Sequence, residues 1–134
     1  TTTDMSAEAR NALTYIESKK NSGELSARLL VSLYREAKQV HFLYGLAELT
    51  HVDHNTVSAL LERRDIEGLA MICRAANIER PLFVTLAVLV GGGDEAMARA
   101  EEFGRMYNNV PVEAAQRAVR FFKVRKSAGE SRAA

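Results

Sequence analysis

Pro81-Leu82-Phe83-Val84-Thr85-Leu86-Ala87-Val88-Leu89-Val90-Gly91-Gly92-Gly93 is the stretch whose reading decides the fold class of this chain. Between the proline and the glycines only Thr85 is polar, and the run is rich in β-branched residues, so in isolation it suits a buried strand. A strand needs a partner, however, and elsewhere apolar residues recur at three- and four-residue intervals with no useful period-2 alternation. Leu82 to Val90 is therefore read as a central buried helix. Pro81 sits in its first turn, where the missing N–H would be unsatisfied anyway, and Gly91, Gly92 and Gly93 end it. The run is far shorter than the roughly 20 residues a membrane-spanning helix needs.

Moving toward the C-terminus, Asp94 is expected to cap a helix that turns Met97, Ala100, Phe103 and Tyr107 inward. Pro111 then starts a last helix burying Val112, Ala115, Val119 and Phe122. Toward the N-terminus, Asp65 caps a helix striped by Ile66, Leu69, Ala70 and Cys73, and Asp53 caps a short one containing Val57, Leu60 and Leu61. A further helix runs from about Val40 to Leu49 and buries Leu43, Leu46 and Ala47. Ser26 caps the helix carrying Leu29, Leu30, Leu33 and Tyr34, and a first helix follows Ser6, with Ala9, Leu13 and Ile16 on one face and Asn21, Ser22 and Gly23 closing it. Gly45-Leu46-Ala47-Glu48-Leu49 and Gly68-Leu69-Ala70-Met71-Ile72 share a pattern 23 residues apart. The expected fold is all-α: a right-handed stack of antiparallel helical hairpins, α-solenoid-like, with about seven helices.

With 134 residues, 47% of them apolar, the chain has material for one hydrophobic core and not two. The expected division is an N-terminal helix and connection at 1–22, a single helical domain at 23–126, and a small, polar, disordered tail at 127–134. The Thr1-Thr2-Thr3 start suggests a longer parent protein. No charged-then-apolar leader is apparent and Cys73 is the single cysteine, which excludes an intrachain disulfide and makes a cytoplasmic location the expectation. The net charge of +1 hides an asymmetry: residues 1–104 carry 11 Lys/Arg against 15 Asp/Glu, while 105–134 carry 7 against 2.

Three stretches taken in order resemble a bacterial family of HEAT-like helical proteins known only as a domain of unknown function. The first is Gly23-Glu24-Leu25-Ser26 with Leu29-Leu30, leading into Leu46-Ala47-Glu48-Leu49. The second is Val57-Ser58-Ala59-Leu60-Leu61 through Arg64-Asp65, then Gly68-Leu69-Ala70 and Cys73-Arg74-Ala75-Ala76. The third is Val110-Pro111-Val112-Glu113-Ala114-Ala115-Gln116-Arg117, followed by Arg120-Phe121-Phe122-Lys123. The resemblance spans roughly residues 23–126, with phenylalanine near position 122 where the family pattern leads one to expect tryptophan. It implies a C-terminal portion or a short member of longer proteins, and a fold without an established activity.

Four segments invite a functional reading. Leu46 to Ser58 is similar to the helix-turn-helix of lac-repressor-type DNA-binding proteins, in which the second helix enters the major groove. Only Asn55 and Ser58 there suit base or phosphate contacts, Asp53 and Glu62 would face a polyanion, and His51 stands at a turn position where glycine is preferred. His51, Asp53 and His54 include metal-ligand types, but His41 lies a helix away, and helix capping by Asp53 explains the cluster without a metal. The glycines before Asp94 look like a phosphate-cradling loop, yet Asp94 and Glu95 would occupy the anion's place and no Gly-Lys-Ser/Thr ending follows. Cys73 lies on an inward stripe, where a thiol behaves as a small apolar group.

The terminal helix is basic, with Arg117, Arg120, Lys123, Arg125 and Lys126 mostly off its apolar stripe; these five form a candidate partner-binding face. No acid–base pair, activated nucleophile or complete metal set can be assembled, so neither an enzyme nor a cofactor is expected. The expectation is a non-enzymatic module that binds another protein or a second copy of itself. The alternative is a DNA-binding regulator using residues 46–61.

Overall fold

The computed structural model describes residues 6–121. Among them the chain is helical throughout, with no strand: α1 (Ala7–Asn21), α2 (Ala27–Arg35), α3 (Gln39–Thr50), α4 (His54–Glu62), α5 (Ile66–Ala75), α6 (Arg80–Gly91), α7 (Asp94–Ala98), α8 (Ala100–Asn108) and α9 (112–121). The Leu82–Val90 run is indeed a helix, and its place is central: α6 packs on α2, α5, α7 and α8. It buries Phe83, Leu86, Ala87 and Val90, while Val84, Val88 and Leu89 are only half-buried. No helix among the described residues is long and apolar enough to cross a membrane.

Helix starts follow the expected chemistry at four places. Ser6 and Ser26 accept from the backbone N–H three residues on, Asp65 accepts from Gly68, and Asp53 accepts from both Asn55 and Thr56. Asp94 does not cap. Gly93 holds the N-cap position and Asp94 is the first residue of α7, where its negative charge still complements the helix dipole. The single helix expected from Asp94 to Tyr107 is broken at Arg99, which adds a helix to the count. The break rotates the inward face, so that Ala96 is buried and Met97, expected inside, is 64% exposed.

Helix ends hold the less expected regularity. The joints after α1 to α5 each place one residue in the left-handed region: Gly23, Ala37, His51, Arg64 and Asn77. These stand thirteen or fourteen residues apart, and four of the five are not glycine. At Ala37, Arg64 and Asn77 the left-handed residue's N–H bonds back three residues and the next N–H bonds back five, which satisfies two carbonyls left open at the helix end. The left-handed conformation crowds a Cβ against the following carbonyl; after His51 and Asn77 the buried Val52 and Ile78 help to hold the turn, whereas Lys38 after Ala37 is exposed. Gly45 and Gly68, the anchors of the 23-residue echo, occupy different places: Gly45 is mid-helix against Leu30 and Ile16, whereas Gly68 is in the capped first turn of α5. Ala37 is exposed, so Ala37→Gly relieves only the backbone strain. It is expected to raise stability by about 0.5–1 kcal/mol, read as a higher midpoint in urea with an unchanged slope.

One core runs through the domain, from Ile16 of α1 through Leu30, Phe42, Leu46, Val57, Leu69 and Leu86 to Phe103, Tyr107 and Val119. Its aromatic centre is the stacked pair Phe83 and Tyr107, with ring centroids 4.4 Å apart and planes 9° apart. The Tyr107 hydroxyl donates to the Ile78 carbonyl, and Arg74 lies over the ring while its Nε donates to the Val110 carbonyl at 2.9 Å. These contacts tie the α5–α6 joint, α8 and the start of α9 together.

Candidate functional site

A groove of about 700 Å³ lies between α1 and α3, closed at one end by the α3–α4 turn. Its apolar lining comes from Leu13 and Ile16 of α1, Ala47 of α3 and Val52 of the turn; its rim carries Glu17, Tyr44, Glu48, His51, Asp53 and His54. Helical spacing explains the lining. Leu13, Ile16 and Glu17 recur at three and four residues along α1, as Tyr44, Ala47 and Glu48 do along α3, so one edge of each helix faces the seam. Close approach of the helices is set by Gly45, where an added Cβ would lie 2.6 Å from Leu30 Cδ2 and 3.1 Å from Ile16 Cδ1. A smaller hollow of about 200 Å³, lined by Lys20, Gly23, Leu25 and Leu49, continues the seam beyond Glu48 and His51, which line both.

Charge on this seam is mostly acidic. Glu48 pairs with Lys20 at 2.7 Å, and that hydrogen bond holds the Lys20 ammonium above its usual range. Tyr44 rests against the His54 ring at 5.2 Å between centroids, and Tyr15 meets His41 edge-on at 5.3 Å. The structure thus brings His51, Asp53 and His54 to one rim and leaves His41 near the other end of α3, against Tyr15 of α1. The Asp53 carboxylate is engaged by the Asn55 and Thr56 N–H groups and by the Thr56 hydroxyl at 2.8 Å. Among the described residues there is no group of three or more His, Cys, Asp or Glu suited to hold a metal ion. Asp53→Ala is expected to cost about 0.5–2 kcal/mol, the range for losing a helix cap, with no change on adding a chelator; thermal melts with and without chelator check it.

The turn between α3 and α4 has the left-handed residue that the helix-turn-helix comparison requires, at His51 with φ 59° and ψ 33°. That geometry is not special to this turn, since Ala37, Arg64 and Asn77 adopt it at the neighbouring joints. Asn55 is exposed and Ser58 half-buried on α4. The exposed residues beside them include His54 and Glu62, and the two exposed arginines, Arg63 and Arg64, lie past the far end of the helix that would enter a DNA groove, Arg64 reaching the Gly91 carbonyl.

Of the basic face, Arg117 and Arg120 are exposed on α9, while Lys123, Arg125 and Lys126 lie outside the described residues, as does Phe122. Ala115 and Val119 hold α9 to the core. Cys73 is fully buried, and burial pushes its thiol pKa up, away from a reactive thiolate. At the glycine loop, Gly92 and Gly93 have φ of 76° and 97°, and the Arg64 guanidinium lies against Gly92 and reaches the Gly91 carbonyl at 3.4 Å. The groove was missed by sequence reasoning: Leu13 and Ala47 look like ordinary core positions, and only their neighbours Glu17 and Glu48, at matching places on two helices, signal a seam that reaches solvent.

Fold and seam define a helical domain with an open, apolar-floored surface groove. The chain belongs to the family described as an uncharacterised protein conserved in bacteria (DUF2336), whose model matches residues 1–120. The match begins at the start of the chain, so α1 belongs to the family unit, whereas the sequence resemblance starts at residue 23. Neither a curated protein nor a solved structure matches this chain.

Proposed function

We propose that this chain is a non-enzymatic, cytoplasmic interaction module of the helical-repeat kind that seats a partner protein in the α1–α3 groove. The observation that carries this reading is the groove itself: an apolar floor framed by polar side chains, which is the composition of a protein-docking patch with a dry centre and a wet rim. Regular spacing of the left-handed joints supports a stack of similar helix pairs, and stacked helices offer extended binding faces. The rim's chemistry favours a protein over a nucleic acid, because Glu17, Glu48 and Asp53 repel phosphate.

The test is affinity capture with the immobilised chain at physiological salt, beside a variant in which Leu13→Arg places a charge on the groove floor. A partner held by the wild-type chain and lost by the folded variant supports the reading. A sequence-specific shift of duplex DNA that disappears on Asn55→Ala would overturn it in favour of a DNA-binding regulator.

A further inference from the structure

We propose that the groove's occupant is the basic C-terminal segment of a second copy of this chain, residues 112–126, so that copies associate head to tail. The inference rests on the groove being a docking surface and adds what fills it. The first observation is charge complementarity. Glu17 and Asp53 stand on the rim of an apolar-floored groove with Glu48, whose charge Lys20 partly offsets, whereas the only acidic residue between positions 105 and 126 is Glu113, against six Lys/Arg.

Ion pairing supplies the second observation. Lys19, Lys20, Lys38, Arg63, Arg99 and Arg105 each pair with a carboxylate of their own chain. Arg117 and Arg120, like the exposed Arg28 and Arg35, have no such carboxylate among the described residues; they differ in lying on the basic terminal segment, on a helix whose other face is packed. No α9 residue lines the groove of its own chain, and Ala115 and Val119 hold α9 to the core, so these arginines are presented outward. Beside these arginines Phe121 is 59% exposed, an apolar side chain presented with the cations to an apolar-floored groove. A contact between two different surfaces of one molecule need not close, so the expected product is an open series of oligomers whose mean mass keeps rising with concentration.

Sedimentation of the full chain over a concentration series, at about 50 mM and about 500 mM salt, reads this directly, because screening removes exposed charge attraction at the higher value. The expected result is mass growth at low salt, with association weakened at least about tenfold at high salt. Glu17→Lys with Glu48→Lys, and separately Arg117→Glu with Arg120→Glu, are expected each to stay monomeric. An equimolar mixture of the two variants is expected to associate again, since each then offers the other a complementary pair. A wild-type chain that is monomeric at every concentration and salt overturns the proposal, as does association unaffected by either charge reversal. Capture of a different protein through the Leu13-sensitive groove, by a chain that remains monomeric, removes this inference and leaves the docking reading standing.

Discussion

Replacing Phe83 by alanine is expected to lower the unfolding free energy by about 3–5 kcal/mol, the range for deleting a large aromatic side chain from a packed core. Phe83 is 0% exposed in the middle of α6, the helix against which α2, α5, α7 and α8 are arranged. Its ring stacks on Tyr107, itself fully buried, so truncation removes the transfer free energy of Phe83 and strips one face of its neighbour. Natural domains have only about 5–15 kcal/mol to lose, so the variant is expected to melt many degrees lower or to be partly unfolded at 37 °C. Urea titration followed by far-ultraviolet circular dichroism measures it. A cost below about 1 kcal/mol would mean that the α6–α8 seam is not the centre of the core.

The second large effect is at Tyr107. Its hydroxyl donates to the buried Ile78 carbonyl, the acceptor exposed by the α5–α6 joint, so Tyr107→Phe leaves that carbonyl unsatisfied and is expected to cost about 1–3 kcal/mol at neutral pH. The same substitution changes the alkaline limb. Burial pushes the Tyr107 pKa from its ordinary 10.0 up to about 12. The neutral phenol is therefore favoured by folding, and the stabilisation is complete below pH 10 and lost as pH rises toward 12. Cys73, whose thiol is also raised by burial, adds a loss that begins above its ordinary value of 9.0. Urea titrations at pH 8 and at about pH 11 are expected to show a smaller alkaline loss for Tyr107→Phe than for the wild-type chain, the remainder including Cys73 and Lys20, whose pairing with Glu48 is lost as the ammonium deprotonates. Equal alkaline losses in both would show that the phenol is not titrating out of a buried site.

How far the fold was legible in the sequence depended on which signal a residue carried. Leu82–Val90 has strand-like composition, yet its helical state followed from the want of a partner, a global constraint that overrides local preference. Caps at Ser6, Ser26, Asp53 and Asp65 were legible because a short oxygen-bearing side chain before an apolar stripe has a local mechanism. Met97 and Asp94 were misplaced for one shared reason. The chain leaves α6 through two left-handed glycines and turns again at Arg99, where a bidentate contact to Glu102 and stacking on Phe103 start a new helix, so periodicity counted through the break runs out of phase.

The left-handed joints at Ala37, His51 and Arg64 had no glycine to announce them: backbone hydrogen bonds close each turn, and after His51 the buried Val52 adds packing. The groove was hidden for a different reason. Helical periodicity assigns Leu13 and Ala47 to an inner face but does not say whether the neighbouring helix covers that face fully or leaves a seam. The spacing set by Gly45 settles it, and no pattern in a single chain encodes that distance.

The central claim, that the α1–α3 seam is where this domain holds a protein, is tested most directly by the dissociation constant for the captured partner, a second copy included, measured for the wild-type chain and for folded Leu13→Arg. The account predicts affinity at least about tenfold weaker in the variant, because a charge would then have to be buried under the occupant. Equal affinities, with the variant shown to be as helical and as stable as the wild-type chain, would contradict it.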